Sequence, residues 1–313
     1  MLPLDFIENL HEQMTPEEVQ ALCQALESEP ITSIRLNDKL ECLTFECDTD
    51  EVPWHEDGYY LNERPQFTLD PLLHAGCYYV QEASSMFVGE VLNQYVKKDS
   101  VVLDLCAAPG GKSTLISQFL GNDGLLVSNE VVRQRVFVLS ENIQKWGNGN
   151  TVVTHNPVAD FGNKLPELFD CILVDAPCSG EGMFRKMEEA RSEWTPASVE
   201  QCVVRQKEIL AEAWRTLKPG GKLIYSTCTF NDKEDEGIVE WLMEEYGDEL
   251  ECAERVDIAE EWGIVRSDIG AFQCFHFYPH KARGEGFFAA VACKKGGATR
   301  RVVPKSRRKI FAP

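Results

Sequence analysis

Cys178 and Cys228 stand in two short contexts whose residue types suit thiol chemistry. Cys178 lies in Asp175-Ala176-Pro177-Cys178-Ser179-Gly180, and Cys228 in Tyr225-Ser226-Thr227-Cys228-Thr229. Each follows an apolar run that reads as a buried parallel strand. Each is therefore expected at a strand's C-terminal end, the edge of an open α/β sheet at which ligands bind. A third run of this kind ends in Asp104-Leu105-Cys106-Ala107-Ala108-Pro109-Gly110-Gly111-Lys112-Ser113. Its glycine turn leads into a helix, whose free N–H groups and positive dipole end suit an anionic or carboxylate ligand.

Only the thiolate is a good nucleophile, and a helix N-terminus or a nearby cation lowers a thiol's pKa. Such a nucleophile serves methylation of a pyrimidine at C5, a carbon that is unreactive in the aromatic ring. Attack at C6 breaks the conjugation and makes C5 enamine-like, able to take a methyl group from a sulfonium. An acid near ring N3 must offset the developing charge, a role open to Asp175 if it retains its proton. Loss of H5 and expulsion of the thiol complete the cycle, and Cys178 is a candidate to assist that last step. Simple burial as a small hydrophobe is the reading preferred for Cys23, Cys171, Cys252 and Cys293.

Three ligands compete for the glycine turn. A Walker loop requires glycine where Cys106 stands, and a dinucleotide fingerprint requires Gly-x-Gly-x-x-Gly, which Ala-Ala-Pro-Gly-Gly does not supply. S-adenosylmethionine fits best. It has no phosphates that need a longer nest, and it has a ribose for Glu130, which ends the next strand 26 residues after Asp104. Glycines that merely shaped a turn would leave that acid unexplained.

The elements that must hold these groups are legible from periodicity. Val101–Leu105, Leu125–Asn129, Thr151–His155, Cys171–Val174 and Lys222–Ser226 read as strands, and helices fit 112–120, 133–146 and 198–217. Cys274–Tyr278 and Phe287–Cys293 read as a late antiparallel edge pair, which brings the sheet to seven strands. Alternation with helical crossovers predicts an α/β, doubly wound, mainly parallel sheet. Thr15-Pro16-Glu17-Glu18 carries the signature of a helix start. With strands at Ile31–Asn37 and Leu43–Cys47, it makes residues 1–70 a small α+β N-terminal domain and a possible RNA-binding module. A boundary is expected at Pro65–Leu73, and a helix that begins around Tyr78–Met86 is expected to run to about Tyr95. Residues 71–295 form the main domain, and 296–313 a basic, mobile tail or linker.

Composition sets the bounds. The 313 residues suffice for one large domain and a smaller one. The longest clean apolar stretch, Phe287 to Cys293, is too short to span a bilayer, and the N-terminus has no secretory pattern. The twelve cysteines lack zinc-ribbon and thioredoxin spacing, which implies a reducing cytoplasm, no disulfide framework and no metal site. Charge argues against a polyanionic partner. Residues 1–293 carry 23 bases against 51 acids, a net of −28, and residues 1–70 alone carry −14. The last 20 residues hold eight bases and no acid.

On these residues the chain resembles the Sun-type RNA cytosine-C5 methyltransferases, in particular the bacterial branch that modifies small-subunit ribosomal RNA. The matching stretches are Asp104–Ser113, Phe169–Lys186 and Lys218–Phe230, with Tyr79–Met86 and Ser33–Asn37. Together they span about residues 1–295. The resemblance implies a Rossmann-like methyltransferase sheet, with Cys228 as the nucleophile at C6 and Cys178 as the group aiding release. It assigns Cys106, Ala107, Ala108, Pro109, Gly110, Gly111 and Lys112 to the methionine and adenosine, Glu130 to the ribose, and Asp175 to the cytosine and cofactor region. Where the family commonly places an acid on the adenine this chain has Asn156-Pro157, so Asn156 is expected there, with Asp160 as the fallback. In DNA cytosine methyltransferases the Pro-Cys cysteine attacks, so the Ser-Thr-Cys-Thr context of Cys228 favours RNA over DNA. Amino-group methyltransferases carry an Asn/Asp-Pro-Pro-Tyr/Phe motif, and Asp175-Ala176-Pro177-Cys178 lacks its aromatic. The branch usually continues into a further RNA-binding region, and the basic tail marks where such a region would begin. RNA contacts are expected from Arg35, Arg185, Lys186, Lys281, Arg283 and the tail, with the target base unstacked to reach the thiol. Ribosomal RNA is the first expectation for the substrate. The same chemistry on transfer RNA is an alternative, as is a non-catalytic RNA-binding factor in ribosome assembly, although a scaffold has no use for two thiols at one edge.

Overall fold

The structure, a computed structural model, describes residues 1–39 and 49–296. The expected strand at Leu43–Cys47 and the basic tail lie outside the described residues.

The N-terminal region contains helices α1 (Leu4–Gln13) and α2 (Pro16–Leu26), strands β1 (Thr32–Leu36), β2 (Thr49–Glu51) and β3 (Gly58–Leu61), helix α3 (Pro71–His74) and strand β4 (Tyr78–Tyr79). The start of α2 follows its sequence signature. The Thr15 hydroxyl accepts from the Glu18 amide, and the Glu18 carboxylate accepts from the Thr15 amide. The four strands form one sheet in the order β2-β3-β1-β4. Because β4 pairs with β1 (Arg35 opposite Tyr79), the expected break at residue 70 falls inside this sheet. Helices α1 and α2 do not join the apolar cluster of this sheet. Leu2, Phe6, Leu10, Val19, Leu22 and Leu26 bury their apolar stripes in a cluster with Phe184, Trp194, Val199 and Phe230. These first 26 residues thus lean on the segments that follow Cys178 and Cys228.

After α4 (Phe87–Tyr95), strand and helix alternate: β5 (Val101–Asp104), α5 (Gly111–Leu120), β6 (Leu125–Asn129), α6 (Arg133–Trp146), β7 (Thr151–Thr154), α7 (Val158–Lys164) and β8 (Phe169–Asp175). Then come α8 (Glu188–Glu193), α9 (Pro196–Thr216), β9 (Leu217–Thr227), α10 (Glu236–Tyr246), β10 (Leu250–Glu251), β11 (Val265–Ile269), β12 (Phe272–Phe277) and β13 (Phe287–Lys294). The sheet runs β11-β12-β13-β9-β8-β5-β6-β7, with β10 on the end of β13.

It is nine-stranded rather than seven-stranded, because β10 and β11 are short additions at one side that lack a strong apolar pattern of their own. The expected late hairpin forms, but only β12 lies toward the outside. β13 inserts between β12 and β9, antiparallel to both. Its near-complete burial on both faces explains the unbroken run Phe287–Cys293, since an edge strand with one wet face would alternate.

Apolar clusters cover both faces of the sheet, one around Phe87, Leu115 and Leu126 and the other around Leu210, Trp214 and Leu242. Register then decides what meets at the top. In the parallel pairs Asp104 lies opposite Leu173, and Asp175 opposite Ser226. Asp104, Asp175 and Ser226 therefore end at one edge, with the two cysteine loops and the glycine turn directly above them.

Candidate active site

The loops after β8 and β9 leave adjacent strands at the same level, so the thiols they carry converge. The Cys178 and Cys228 sulfurs are 3.4 Å apart, and the Cys228 amide also points at the Cys178 sulfur at 3.4 Å. Two further ties lock the loops together. The Ser179 and Thr229 hydroxyls are 2.9 Å apart, and the Gly182 amide donates to the Cys228 carbonyl at 2.8 Å. Gly182 is required there, because a Cβ would come within 2.9 Å of that carbonyl oxygen. Both cysteines are half-buried. The hydrogen bond with Cys228, followed by burial, holds the Cys178 thiol well above the ordinary range, so Cys178 keeps its proton.

Asp175 stands beside this pair. It accepts from Lys112 Nζ at 2.8 Å and from the Ser226 hydroxyl at 2.8 Å. Burial acts to lower the Lys112 pKa, but the Asp175 charge and hydrogen bond outweigh it and hold Lys112 above its usual value. The Cys228 thiolate acts in the same direction, so the ammonium lies within electrostatic reach of that sulfur. Asp175 thus faces an ammonium and a hydroxyl at once.

The glycine turn sits across β5. Gly110 adopts φ +117°, a region that favours glycine, and a Cβ on Gly111 would lie 3.3 Å from the Tyr79 ring. The turn is pinned from outside. Arg135 donates to the Ala108 carbonyl at 2.6 Å, and Asn142 donates to the Pro109 carbonyl at 2.8 Å. Below it Asp104 is fully buried. One carboxyl oxygen accepts from Ser113 at 2.6 Å, while Oδ1 has no partner among the described residues. Burial raises its pKa to about 7. Burial also pushes the Cys106 thiol up, which makes it a poor nucleophile.

Glu130 is buried at the end of β6. It accepts from the Val132 amide at 2.8 Å and faces Arg135 at 3.2 Å. Asn156 is tied to the same edge, since its amide donates to the Asn129 side chain at 3.0 Å. With Asp160 and Phe161 it lines a cleft of about 140 Å³, in which Asp160 pairs with Lys164 at 3.0 Å.

This donor set fits S-adenosylmethionine. The orphan Asp104 oxygen suits an ammonium group, the first-turn amides of α5 suit a carboxylate, and the Glu130 carboxylate keeps lone pairs for two hydroxyls. Cys106 to Gly111, Asp104 and Glu130 are the residues that would hold it.

A family model described as 16S rRNA methyltransferase RsmB/F matches residues 91–292, and one described as the N-terminal domain of 16S rRNA methyltransferase RsmF matches residues 2–83. The chain belongs to the RsmB/F family. Ribosomal RNA small subunit methyltransferase F of Pectobacterium atrosepticum is 39% identical over 251 residues, which cover 78% of this chain and 51% of that protein. The protein of that name from Aliivibrio fischeri is 38% identical, over 85% of this chain and 57% of the relative. The chain thus spans about half the length of the curated relatives it matches. A methyltransferase homologue from Pyrococcus horikoshii, known as a crystal structure, superposes with a TM-score of 0.73 at 26% identity, over 94% of this chain and all of that one. NSun6 from the same organism, crystallised with SFG, has the same fold, with a TM-score of 0.78 at 21% identity over 93% of this chain and 98% of that one. Both thiols, Asp175, Lys112 and Glu130 lie inside the RsmB/F match.

Within this RsmB/F chain two of the expected RNA contacts are corrected. Arg35 is fully buried. It donates to Gln81 at 2.9 Å, Gln118 at 2.6 Å and Thr114 at 2.6 Å, and stacks over Trp146 at 4.4 Å. It is a pillar between β1 and α5. Arg185 is also enclosed, paired with Glu285 at 2.7 Å and bonded to the Gly284 carbonyl. The remaining cations stay at the surface, each with an acid beside it: Lys186 with Glu285, Lys281 with Glu18, and Arg283 with Asp50.

The sequence reading missed a layer of carboxylates beneath the thiols. Glu181 accepts from Trp194 at 3.0 Å and from the Phe230 amide at 2.8 Å, and burial raises its pKa to about 7. Glu234 accepts from the Ser179 amide at 3.0 Å and from Gln206 at 2.8 Å. Asp235 accepts from Thr227 at 2.6 Å. Their signal was proximity: Glu181 follows Cys178 by three residues, and Glu234-Asp235 follows Cys228 by six and seven.

Proposed function

We propose that this chain transfers a methyl group from S-adenosylmethionine to C5 of a cytosine in RNA, ribosomal RNA of the small subunit in the first instance. The observation that carries this reading is the pair of thiols in contact beside the Lys112–Asp175 pair. S-adenosylmethionine, when bound, supplies an electrophilic methyl on a sulfonium.

The chain's own residues do the rest. Cys228, near the Lys112 ammonium and facing the Cys178 S–H, attacks C6 of the base as a thiolate. A sulfur–carbon bond forms and the C5–C6 double bond opens. Lys112, oriented by Asp175, offers its proton to the ring nitrogen that gathers charge, so C5 becomes nucleophilic and takes the methyl. Loss of the C5 proton to solvent restores the double bond as the sulfur–C6 bond breaks and Cys228 leaves as a thiolate, and the ring nitrogen returns its proton to Lys112. Cys178, held as a thiol, donates a hydrogen bond to the departing Cys228 sulfur. Names of relatives support small-subunit ribosomal RNA as the substrate class. Ten free cysteines among the described residues, and no helix there long and apolar enough to cross a membrane, fit a protein that works in the cytoplasm.

A covalent trap tests the reading. Replacing Cys178 by alanine removes the donor to the leaving sulfur, so a protein–RNA adduct that survives denaturant is expected with total small-subunit RNA and S-adenosylmethionine. It should vanish in the Cys178→Ala/Cys228→Ala double variant. An adduct that persists in the double variant would reassign the nucleophile. No adduct and no methyl transfer to any cellular RNA would favour a scaffold.

A further inference from the structure

The thiol pair needs an asymmetry, with one sulfur ionised to attack and its neighbour protonated to assist. The structure contains a group suited to set it. Glu234 is buried under the Cys178 loop, where its carboxylate accepts from the Ser179 amide at 3.0 and 3.3 Å and from Gln206 Nε2 at 2.8 Å. The same Gln206 nitrogen donates to the Pro177 carbonyl at 3.1 Å, so the residues on both sides of Cys178 are tied to one carboxylate. The Glu234 carbonyl accepts from the Tyr225 hydroxyl at 2.6 Å, which fixes its backbone against β9.

We propose that Glu234 is the positioning residue that sets the roles of the two thiols: its buried carboxylate clamps residues 177–179 on both sides of Cys178, so that Cys178 serves as the hydrogen-bond donor and Cys228 as the attacking sulfur. The proposal rests on the methyl-transfer reading for the assignment of Cys228 to attack. It deepens that reading by naming the group that selects the nucleophile.

The electrostatics agree with the geometry. The hydrogen bond with Cys228, burial and the Cys228 charge raise Cys178 most, and the Glu234 charge adds to them; burial and then the Glu234 charge raise Cys202. The acids and thiols around Glu234 are Cys178, Cys202, Glu181, Asp235 and Tyr225, so among them only negative charge can develop, and burial raises the Glu234 pKa itself against the hydrogen bonds from Ser179 and Gln206. None of them can supply a cation to replace the effect of Glu234. Lys112, the cation near the thiols, pairs with Asp175 and acts on Cys228. The two sulfurs thus sit between an acid on one side and a base on the other.

Thiol alkylation followed by peptide mass spectrometry, over pH 6 to 10 with neither RNA nor methyl donor, reads this directly. In the intact protein Cys228 should label first and Cys178 should lag. Glu234→Gln keeps the shape and removes the charge. Labelling of Cys178 at pH 8 is expected to rise about threefold or more, with its pH profile moved down, while Cys228 does not gain. Glu234→Asp keeps the charge and should restore most of the lag of Cys178. Equal gains at both sulfurs in Glu234→Gln, matched in Glu234→Asp, would mean loosened packing and overturn the proposal, as would an unchanged Cys178 profile. Because no RNA or methyl donor enters the assay, failure here leaves the covalent trap readable, and failure of the trap leaves this result readable.

Discussion

Acids buried beneath the two thiols are costly to ionise, and Glu181 carries a measurable signature of that cost. Burial lifts it from an ordinary 4.5 to about 7, against the hydrogen bonds from Phe230 and Trp194. An acid raised in the fold contributes stability that is complete below about pH 4.5 and is lost as pH rises through 7. Glu181→Gln removes the titration but also one acceptor, a fixed loss of about 1–2 kcal/mol. The variant is therefore expected to be less stable than the parent at pH 5. That gap should close or reverse by pH 8, by an amount on the order of 3 kcal/mol, when urea midpoints are compared at the two values. A gap that does not move with pH would mean that Glu181 is already ionised in the fold. The sequence could name Cys178, Cys228, Asp175 and the glycine turn because each sits in a short, unusual context at the end of an apolar run. It could not name Glu181 or Glu234 as members of the site. Their importance comes from burial and from partners on other elements, Trp194 and Gln206, and no local pattern encodes either.

The central parallel strands β5 and β8 were readable because each is covered on both faces and so appears as a continuous apolar run, whereas β7 at the sheet's edge is half-exposed. Where β13 inserts was not readable, since pairing partners leave no trace in a strand's own composition. The same limit explains the arginines. An arginine in a sequence reads as a solvated charge by default, but Arg35 lies on a strand whose neighbours are Gln81, Gln118 and Thr114, with Trp146 beneath it. Burial pulls its pKa down to about 9, the cost of holding a guanidinium there. Those acceptors come from the segment after β4 and from α5, so Arg35 joins the N-terminal sheet to the helix that opens with the glycine turn. Arg35→Met fills much of the space but leaves several buried acceptors empty. A loss of about 3 kcal/mol in urea unfolding is expected. The same variant should bind S-adenosylmethionine more weakly, about tenfold by calorimetry, because Gly111 loses a neighbour that fixes its carbonyl. Unchanged affinity with reduced stability would limit Arg35 to holding the N-terminal sheet to α5.

At the scale of the whole molecule the difficulty is charge. A chain of net charge −20 is assigned a polyanionic substrate, and Lys186, Lys281 and Arg283, three surface cations expected to meet it, are already paired with acids. Lys281 touches Glu18 at 2.5 Å and Arg283 touches Asp50 at 2.7 Å, so RNA must displace a carboxylate to gain either one. Such exchanges release few counterions and give shallow salt dependence. Arg300, Arg301, Lys305, Arg307, Arg308 and Lys309 lie in a stretch of sequence that holds no acid. Neutralising six phosphates of single-stranded RNA corresponds to a slope of about −4 in log K against log salt. Deleting residues 297–313 is therefore expected to flatten the salt dependence of RNA binding by about that amount and to weaken binding most at low salt. Cys228 alkylation should be unaffected. Fluorescence anisotropy with a small-subunit RNA fragment, titrated from 50 to 300 mM KCl, measures both slopes. If the two proteins gave the same slope, the folded surface would be carrying the electrostatics. In that case the pairs at Glu18, Asp50 and Glu285 must open on binding, and Glu18→Gln should then tighten RNA binding.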